Sequence, residues 1–186
     1  GGYSHRMFFL QMDESDIVTG RHLSEIPEAI EEILVVCETK PKVVVLCITC
    51  VDALLGTDLE RVCRKAEEAL HGEVRVVPTY MYALTREGKN PPMVAVRESI
   101  YSLLEKEERK MNQVNLLGFF THLADDCELY DLLRQIGLDR VLEVGRCETL
   151  EEYRELGASN FNLILNPESR KAAFALEERL GMPYAE

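Results

Sequence analysis

Lys42-Val43-Val44-Val45-Leu46-Cys47-Ile48-Thr49-Cys50, followed by Leu54-Leu55-Gly56-Thr57-Asp58-Leu59, reads as a strand, a turn and the opening of a helix. The run begins after Pro41, and its apolar residues at 43–46 and 48 do not alternate with polar ones. That is the pattern of a parallel strand buried on both faces. Open α/β sheets hold ligands outside the carboxyl ends of their strands. Cys50 therefore stands at the edge where such a fold binds, with Cys47 three residues before it.

The pattern continues in both directions. Upstream, Arg6 to Met12 has strand character, Asp13 to Gly20 reads as a turn-rich acidic loop, and Ser24 caps a helix running to about Glu38, with Pro27 in its first turn. Downstream, a helix from Asp58 to about Leu70 stops at His71-Gly72, and Glu73 to Thr79 forms a second strand. A loop from Tyr80 to Pro92 and a helix from Pro92 to about Glu107 complete the first half. The fully charged run Lys106-Glu107-Glu108-Arg109-Lys110 marks a boundary, after which the rhythm restarts. Val114 to Phe119, Val141 to Val144 and Ala158 to Leu165 read as strands. Helices fall at Asp125 to Ile136, with Leu129, Leu132, Leu133 and Ile136 inward, at Leu150 to Leu156 and at Glu168 to Leu180. Strand and helix alternate in this way in parallel βαβ units with right-handed crossovers. The expected architecture is α/β: two tandem Rossmann-like lobes, residues 1–108 and 109–186, each a parallel sheet flanked by helices.

Composition bounds the function. The chain has 186 residues, enough for two small lobes, and a net charge of −12. Nucleic acid and anionic membrane surfaces call for a basic footprint, so neither is expected as a partner. No apolar run approaches the roughly 20 residues of a membrane span, and no signal peptide is visible, which places the expected protein in the cytoplasm. No G-x-G-x-x-G or P-loop lysine motif opens any helix, so nucleotide binding has no support. Leu117-Gly118-Phe119-Phe120 offers a single glycine, and no Ser-His-Asp set with a nucleophile elbow can be assembled. Histidines 22, 71 and 122 are isolated and read as surface residues.

Six cysteines, at 37, 47, 50, 63, 127 and 147, are scattered through a chain that already has a full apolar core, unlike a disulfide scaffold. Cys63 lies in line with Leu59, Val62, Ala66 and Leu70, and Cys37 with Ile30, Ile33 and Leu34, so both read as small core residues. Cys127 and Cys147 open helices without a second ligand at metal spacing. What remains is the pair Cys47-x-x-Cys50. A thiol switch built on it lacks the usual helix N-terminus, because both thiols fall at a strand end.

Taken together, Phe9 to Gly20, the strand ending in Cys50, Leu55-Gly56-Thr57-Asp58, Val76-Val77-Pro78, Asn115-Leu116-Leu117-Gly118, Asn162-Leu163-x-x-x-Pro167 and Leu180-Gly181-Met182-Pro183-Tyr184 resemble component 1 of nitrogenase and nitrogenase-like reductases. The pieces occur in the family's order from about residue 6 to 186. The resemblance implies a fragment: the end of the first and all of the second of three Rossmann-like lobes, with a preceding segment and a third lobe expected outside it. It also implies pairing with a related component 1 subunit, an iron-sulfur cluster at the interface, and an ATP-dependent iron protein as electron donor.

On this resemblance Cys50, preceded by Thr49, is the cluster ligand. Its partner cysteines are expected outside this chain, and Asp58 and Leu59 are candidate contacts for the donor. A thiolate is a suitable iron ligand. The position of the catalytic nitrogenase subunit's cofactor cysteine is Asn166 here, and the family's histidine-bearing loop is Gly88-Lys89-Asn90-Pro91-Pro92, so nitrogen reduction on a molybdenum cofactor is not expected. The expected function is a nitrogenase-like oxidoreductase subunit relaying electrons through the cluster to a substrate, with the fragment alone inactive. The alternative is a non-catalytic scaffold or binding subunit for a metallocofactor or a tetrapyrrole-like ligand.

Overall fold

A computed structural model describes residues 6–48, 54–81 and 91–186. Thr49, Cys50 and most of the 80–92 loop lie outside the described residues. The chain packs as two compact units, 1–84 and 85–186.

In the first unit α1 (Glu14–Thr19) and α2 (Arg21–Val36) precede β1 (Val43–Ile48), α3 (Leu59–Ala69) and β2 (Arg75–Tyr80). β1 and β2 pair in parallel, with Val43 opposite Arg75 and Cys47 opposite Thr79. Alternate residues of the strands, among them Val44, Leu46 and Val76, pack with Ile26 and Ile30 of α2 and with Val62 and Ala66 of α3. The opposite face of β1 is open: Val45 is 51% exposed and Cys47 is exposed. The strand is therefore parallel, as expected, but covered on one face, and its unbroken apolar run does not mark burial on both.

The amino-terminal reading needs correction. Arg6 to Met12 forms no strand, and Arg6 to Gln11 are exposed, Phe9 at 82%. Strand propensity without a ladder partner leaves backbone groups to water. The acidic stretch folds as α1 because the Asp16 carboxylate accepts from the Asp13 N–H at 3.2 Å, and Gly20, at φ +71°, ends it. α2 then starts at Arg21. Ser24 is not its cap but an interior residue whose Oγ donates to the Arg21 carbonyl at 2.7 Å, and Pro27 falls well inside the helix.

The second unit comprises α4 (Pro92–Tyr101), β3 (Lys110–Leu117), α5 (Glu128–Gln135), β4 (Arg140–Leu142), α6 (Leu150–Glu155), β5 (Ser159–Ile164), α7 (Arg170–Leu180) and β6 (Tyr184–Ala185). The sheet is wholly parallel in the order β4-β3-β5-β6. β3 is buried on both faces: Leu117 packs with Leu156 and Leu176 on one side, Val114 and Leu116 with Leu133 and Leu138 on the other. These are the parallel, helix-flanked sheets the sequence predicts. Tyr101, at the end of α4, and Leu104, just beyond it, join the first of these cores, so the helix ahead of the charged run packs within the second unit. Arg179 of α7 holds the end of that helix by donating to the Tyr101 and Ser102 carbonyls, both at 3.0 Å.

Two features depart from the sequence pattern. Of the four α5 residues expected inward, Leu129 and Leu133 pack on the core, while Leu132 and Ile136 are 50% and 71% exposed. The core side of β3 and β5 also carries amides. Asn115 and Asn162 are adjacent in register and fully buried, and the Asn115 amide donates to Asn162 Oδ1 and the Leu156 carbonyl, both at 2.9 Å. Because shifting one strand would strand these groups without partners, the pair specifies the β3–β5 register.

Candidate functional site

The first candidate edge lies at the carboxyl end of β1 and β2. Cys47 is exposed there, although packing around its sulfur raises the thiol pKa above its ordinary value. Thr79, its register neighbour, leaves the sheet on the same face and is 4% exposed, and its Oγ1 has no hydrogen-bond partner. Cys50 lies beyond, outside the described residues. Gly56 turns the chain at φ +67° and leads to Asp58, whose carboxylate caps α3 by accepting from the Arg61 N–H at 3.0 Å. Leu59 is 1% exposed inside the core, which removes it as a contact for a donor protein; it is the first residue of the inward stripe with Val62 and Ala66.

The remaining described cysteines divide as their neighbours dictate. Cys63 sits in the core, where burial first and then Glu67 and Glu60 push its thiol up to about 12. Cys147 is raised to about 11, chiefly by burial, and donates to the Glu143 carbonyl at 3.5 Å. Cys37 and Cys127 are partly buried at a helix end and a helix start. Thiols raised by burial, as at Cys63 and Cys147, are protonated at neutral pH and inert. Among the described residues, no three His, Cys, Asp or Glu side chains gather as a metal site. His71 and His122 are exposed, as expected.

The second candidate edge is the carboxyl end of β3 and β5. Here the strand order reverses, since β3 leads to β4 on one side and β5 to β6 on the other. Ligands of open α/β sheets bind at such a point. Gly118 ends β3 against β5: a Cβ there would lie 3.0 Å from Leu165 Cβ and 3.1 Å from the Asn166 nitrogen. Asn166 uses its side chain as a cap, accepting from the Glu168 N–H at 3.0 Å. Arg97 of α4, 6% exposed, ties the edge together. Its Nε donates to the Gly118 carbonyl at 3.0 Å, and its Nη1 to Glu168 Oε2 at 2.7 Å and the Met93 carbonyl at 3.1 Å. The guanidinium carbon lies 4.6 Å from the centre of the Phe120 ring. The hollow around it, rimmed by Phe119, Phe120 and Val144, leaves no room for a water molecule. Arg97 escaped the sequence reading, but a signal was present: with Val94 and Tyr101 it forms the buried stripe of α4, and an arginine on such a stripe marks a paired cation.

The loop after β3 is latched a second time. The nearly buried Glu143 carboxylate accepts from the Leu123 N–H at 2.8 Å, from the Tyr130 hydroxyl and from Arg146 Nε at 3.2 Å. Arg146 reaches on to Asp125 at 2.7 Å. Its hydrogen bond first, and its charge second, hold the exposed Asp125 carboxyl below the usual range. A folded-state value below the unfolded one makes this contact stabilising above the unfolded carboxylate pKa, and the benefit disappears as pH falls through the folded value. Arg146→Gln is therefore expected to return Asp125 to the ordinary carboxylate range, about 3.9, in an NMR titration. An unchanged titration would exclude the contact in solution.

Comparison with known proteins supplies the context. Residues 3–186 match the family model described as nitrogenase component 1 type oxidoreductase. The nitrogenase iron-molybdenum cofactor biosynthesis protein NifE of Clostridium pasteurianum is 26% identical over 180 residues, covering 95% of this chain and 38% of that protein. NifE of Mesorhizobium japonicum is 27% identical over 184 residues, covering 96% and 36%. The chain thus spans well under half the length of these relatives. Among solved structures, that titled nitrogenase Cp1 at pH 5 superposes with a TM-score of 0.70 at 21% identity, covering 93% of this chain and 35% of that one. Its counterpart at pH 6.5 gives 0.68 at 19%, covering 94% and 42%. The parallel lobes and the match along almost the whole sequence lead to one conclusion: the chain belongs to the nitrogenase component 1-type oxidoreductase family.

Proposed function

We propose that the chain is part of a scaffold-type component 1 subunit that holds a metallocofactor while it is built, with Cys50 contributing one thiolate to an iron-sulfur cluster shared with a related subunit. The observation that carries this reading is that the relatives matched along nearly the whole chain are named as cofactor biosynthesis proteins. Asn166 supports it, because its side chain is committed to a backbone cap rather than offered as a ligand. The described residues fit the group in part. Cys47 and the unpartnered Thr79 hydroxyl stand at the carboxyl edge that leads into Cys50, while the remaining ligands must come from other segments or subunits. When bound, the cluster would supply electron-transfer chemistry. The chain's own part is to present thiolates and a rigid edge. No helix among the described residues is long and apolar enough to cross a membrane, in keeping with a cytoplasmic assembly.

A second reading is favoured by the exposure of the Cys47 edge, which suits transfer across an interface. In it the subunit relays electrons from an ATP-dependent iron protein to a substrate. Anaerobic purification of the protein from its complete gene, with and without Cys50→Ser, followed by iron and sulfide analysis and EPR, tests both. The expected result is a cluster that the variant loses. Retention of cofactor without turnover distinguishes the scaffold from the relay, in which the reduced cluster is reoxidised by substrate. An iron-free wild type would sink both.

A further inference from the structure

We propose that Arg97 anchors a binding site for a small carboxylate at the carboxyl edge of β3 and β5, and that Glu168 occupies this site as a built-in competitor that the incoming acid displaces. The inference goes beyond the metallocofactor reading and uses neither Cys50 nor a metal.

Its starting point is the unequal footing of the ion pair. The Arg97 side chain is 7% exposed and fixed by two backbone acceptors, the Gly118 carbonyl at 3.0 Å and the Met93 carbonyl at 3.1 Å. Glu168 is 33% exposed and holds Arg97 by one bond, Nη1 to Oε2 at 2.7 Å. The arginine is therefore the fixed partner, and the carboxylate is the one that solvent can take. Arg97 Nη2 makes no hydrogen bond among the described residues, so one arm of the guanidinium is unused. Arginine pairs best with a carboxylate that engages two of its nitrogens at once. Glu168, carried on the short turn Pro167–Ser169, reaches one of them. An untethered acid can engage Nη1 and Nη2 together.

The surroundings support the assignment. The edge is the point where the strand order reverses, which is where open α/β sheets bind ligands. The Phe120 ring, its centre 4.6 Å from the guanidinium carbon, covers a face of that group and leaves its edge, where the N–H groups point, to an acceptor. Ser169, the residue after Glu168 and the last before α7, is fully buried and its Oγ has no partner. With Glu168 in place the turn thus carries an unsatisfied hydroxyl, a costly state that eases its rearrangement. The hollow beside Arg97 leaves no room for a water molecule, so the acid takes the place of Glu168 rather than filling a void. The exchange is one of ion pairs: the acid's carboxylate replaces that of Glu168 on Arg97, Glu168 turns to solvent, and no proton or electron is transferred. A carboxylate is favoured over other anions because a carboxylate already fills the position.

The test uses the protein expressed from its complete gene. Acetate, malonate and inorganic phosphate are titrated calorimetrically into the wild type, Glu168→Gln and Arg97→Lys, with ionic strength held constant by chloride. Amide exchange is followed across Gly118 to Phe120 in the same samples. Glu168→Gln removes the competing charge and keeps the shape of the side chain, so it is expected to bind malonate about tenfold more tightly than the wild type, with slower exchange at Gly118 to Phe120 on binding. Arg97→Lys keeps the charge but loses the planar fork, so it is expected to bind malonate about tenfold more weakly than the wild type, its fold being checked by circular dichroism. Phosphate is expected to bind Glu168→Gln more weakly than malonate does. A Glu168→Gln protein that shows no saturable binding of either acid up to about 0.1 M overturns the proposal. Equal affinity in all three proteins places the binding elsewhere and overturns the role of Arg97. Phosphate bound as tightly as malonate overturns the carboxylate assignment. None of these measurements reads iron, so failure here leaves the Cys50 reading intact, and an iron-free protein leaves this inference intact.

Discussion

Gly145→Ala is expected to destabilise the second unit by about 3 kcal/mol, the upper end of what overpacking costs, and to lower its melting temperature by roughly 15 °C. Gly145 follows β4, and a Cβ built on it would stand 2.6 Å from the His122 nitrogen, 2.6 Å from the Thr121 carbonyl carbon and 2.9 Å from the Phe120 oxygen. All three are backbone atoms, so no side-chain rotation relieves the clash. The segment carrying them must move, and it is held by Glu143 at Leu123 and by Arg97 at Gly118. Gly145 does not have a left-handed φ, so alanine would otherwise be the better residue for the chain's conformational entropy, and the steric term decides the sign. Gly137→Ala is the control. Gly137 has φ +84° with nothing within 4 Å of its Cβ position, so its cost is conformational only, about 1 kcal/mol. Denaturant unfolding of both variants gives the comparison, and amide exchange at Leu123 reads the local displacement. A Gly145→Ala protein no less stable than Gly137→Ala would mean that the loop after β3 is not seated against the β4 turn.

The parts legible in the sequence were those written in local patterns. The strands around Val44, Val76, Leu116 and Leu163 announced themselves by apolar runs between helix-period stretches, and their parallel pairing followed from that alternation. Patterns failed where long-range partners decide. The run Met7 to Leu10 has strand composition but no ladder to join, and Glu14–Thr19, within the stretch that resembles a turn, becomes helical with one carboxylate at Asp16 closing its start. The docking role imagined for Leu59 conflicted with its own stripe, since a leucine aligned with Val62 and Ala66 is core first.

The second edge was hardest to foresee. Arg97 meets Glu168 across 71 positions of sequence, and the Asn115–Asn162 pair spans 47; each amide or charge looks like a surface residue until its partner is known. Sequence order likewise gave no warning that Thr79 would be buried beside Cys47 without a bond, because register is a property of the paired strands.

Arg97→Leu is expected to cost about 3 kcal/mol, near the lower end for breaking a buried ion pair. The guanidinium serves three acceptors: the Gly118 carbonyl, the Met93 carbonyl and the Glu168 carboxylate. Leucine fills part of the volume and answers none of them. Glu168 keeps about a third of its side chain in solvent, 33%, so water compensates some of the loss and the upper end of the range is not reached. Arg97→Lys keeps the charge but lacks the planar fork that addresses Gly118 and Glu168 at once, and should fall between the two.

The double variant Arg97→Leu with Glu168→Gln isolates the charge. If the unpaired carboxylate is the main penalty, the second change recovers about 1 kcal/mol, because a neutral amide costs less to leave unpaired. If the lost bond to the Gly118 carbonyl dominates, the second change recovers nothing and only the lysine variant helps. In either case the loop bearing Phe119 and Phe120 loses the ring contact that seats it, so its amides exchange faster while those of β4 do not. An Arg97→Leu protein within about 1 kcal/mol of the wild type, the value of one ordinary hydrogen bond, would show that the carboxyl edge of β3 and β5 is held by the apolar packing of Leu117 and Ile164 alone.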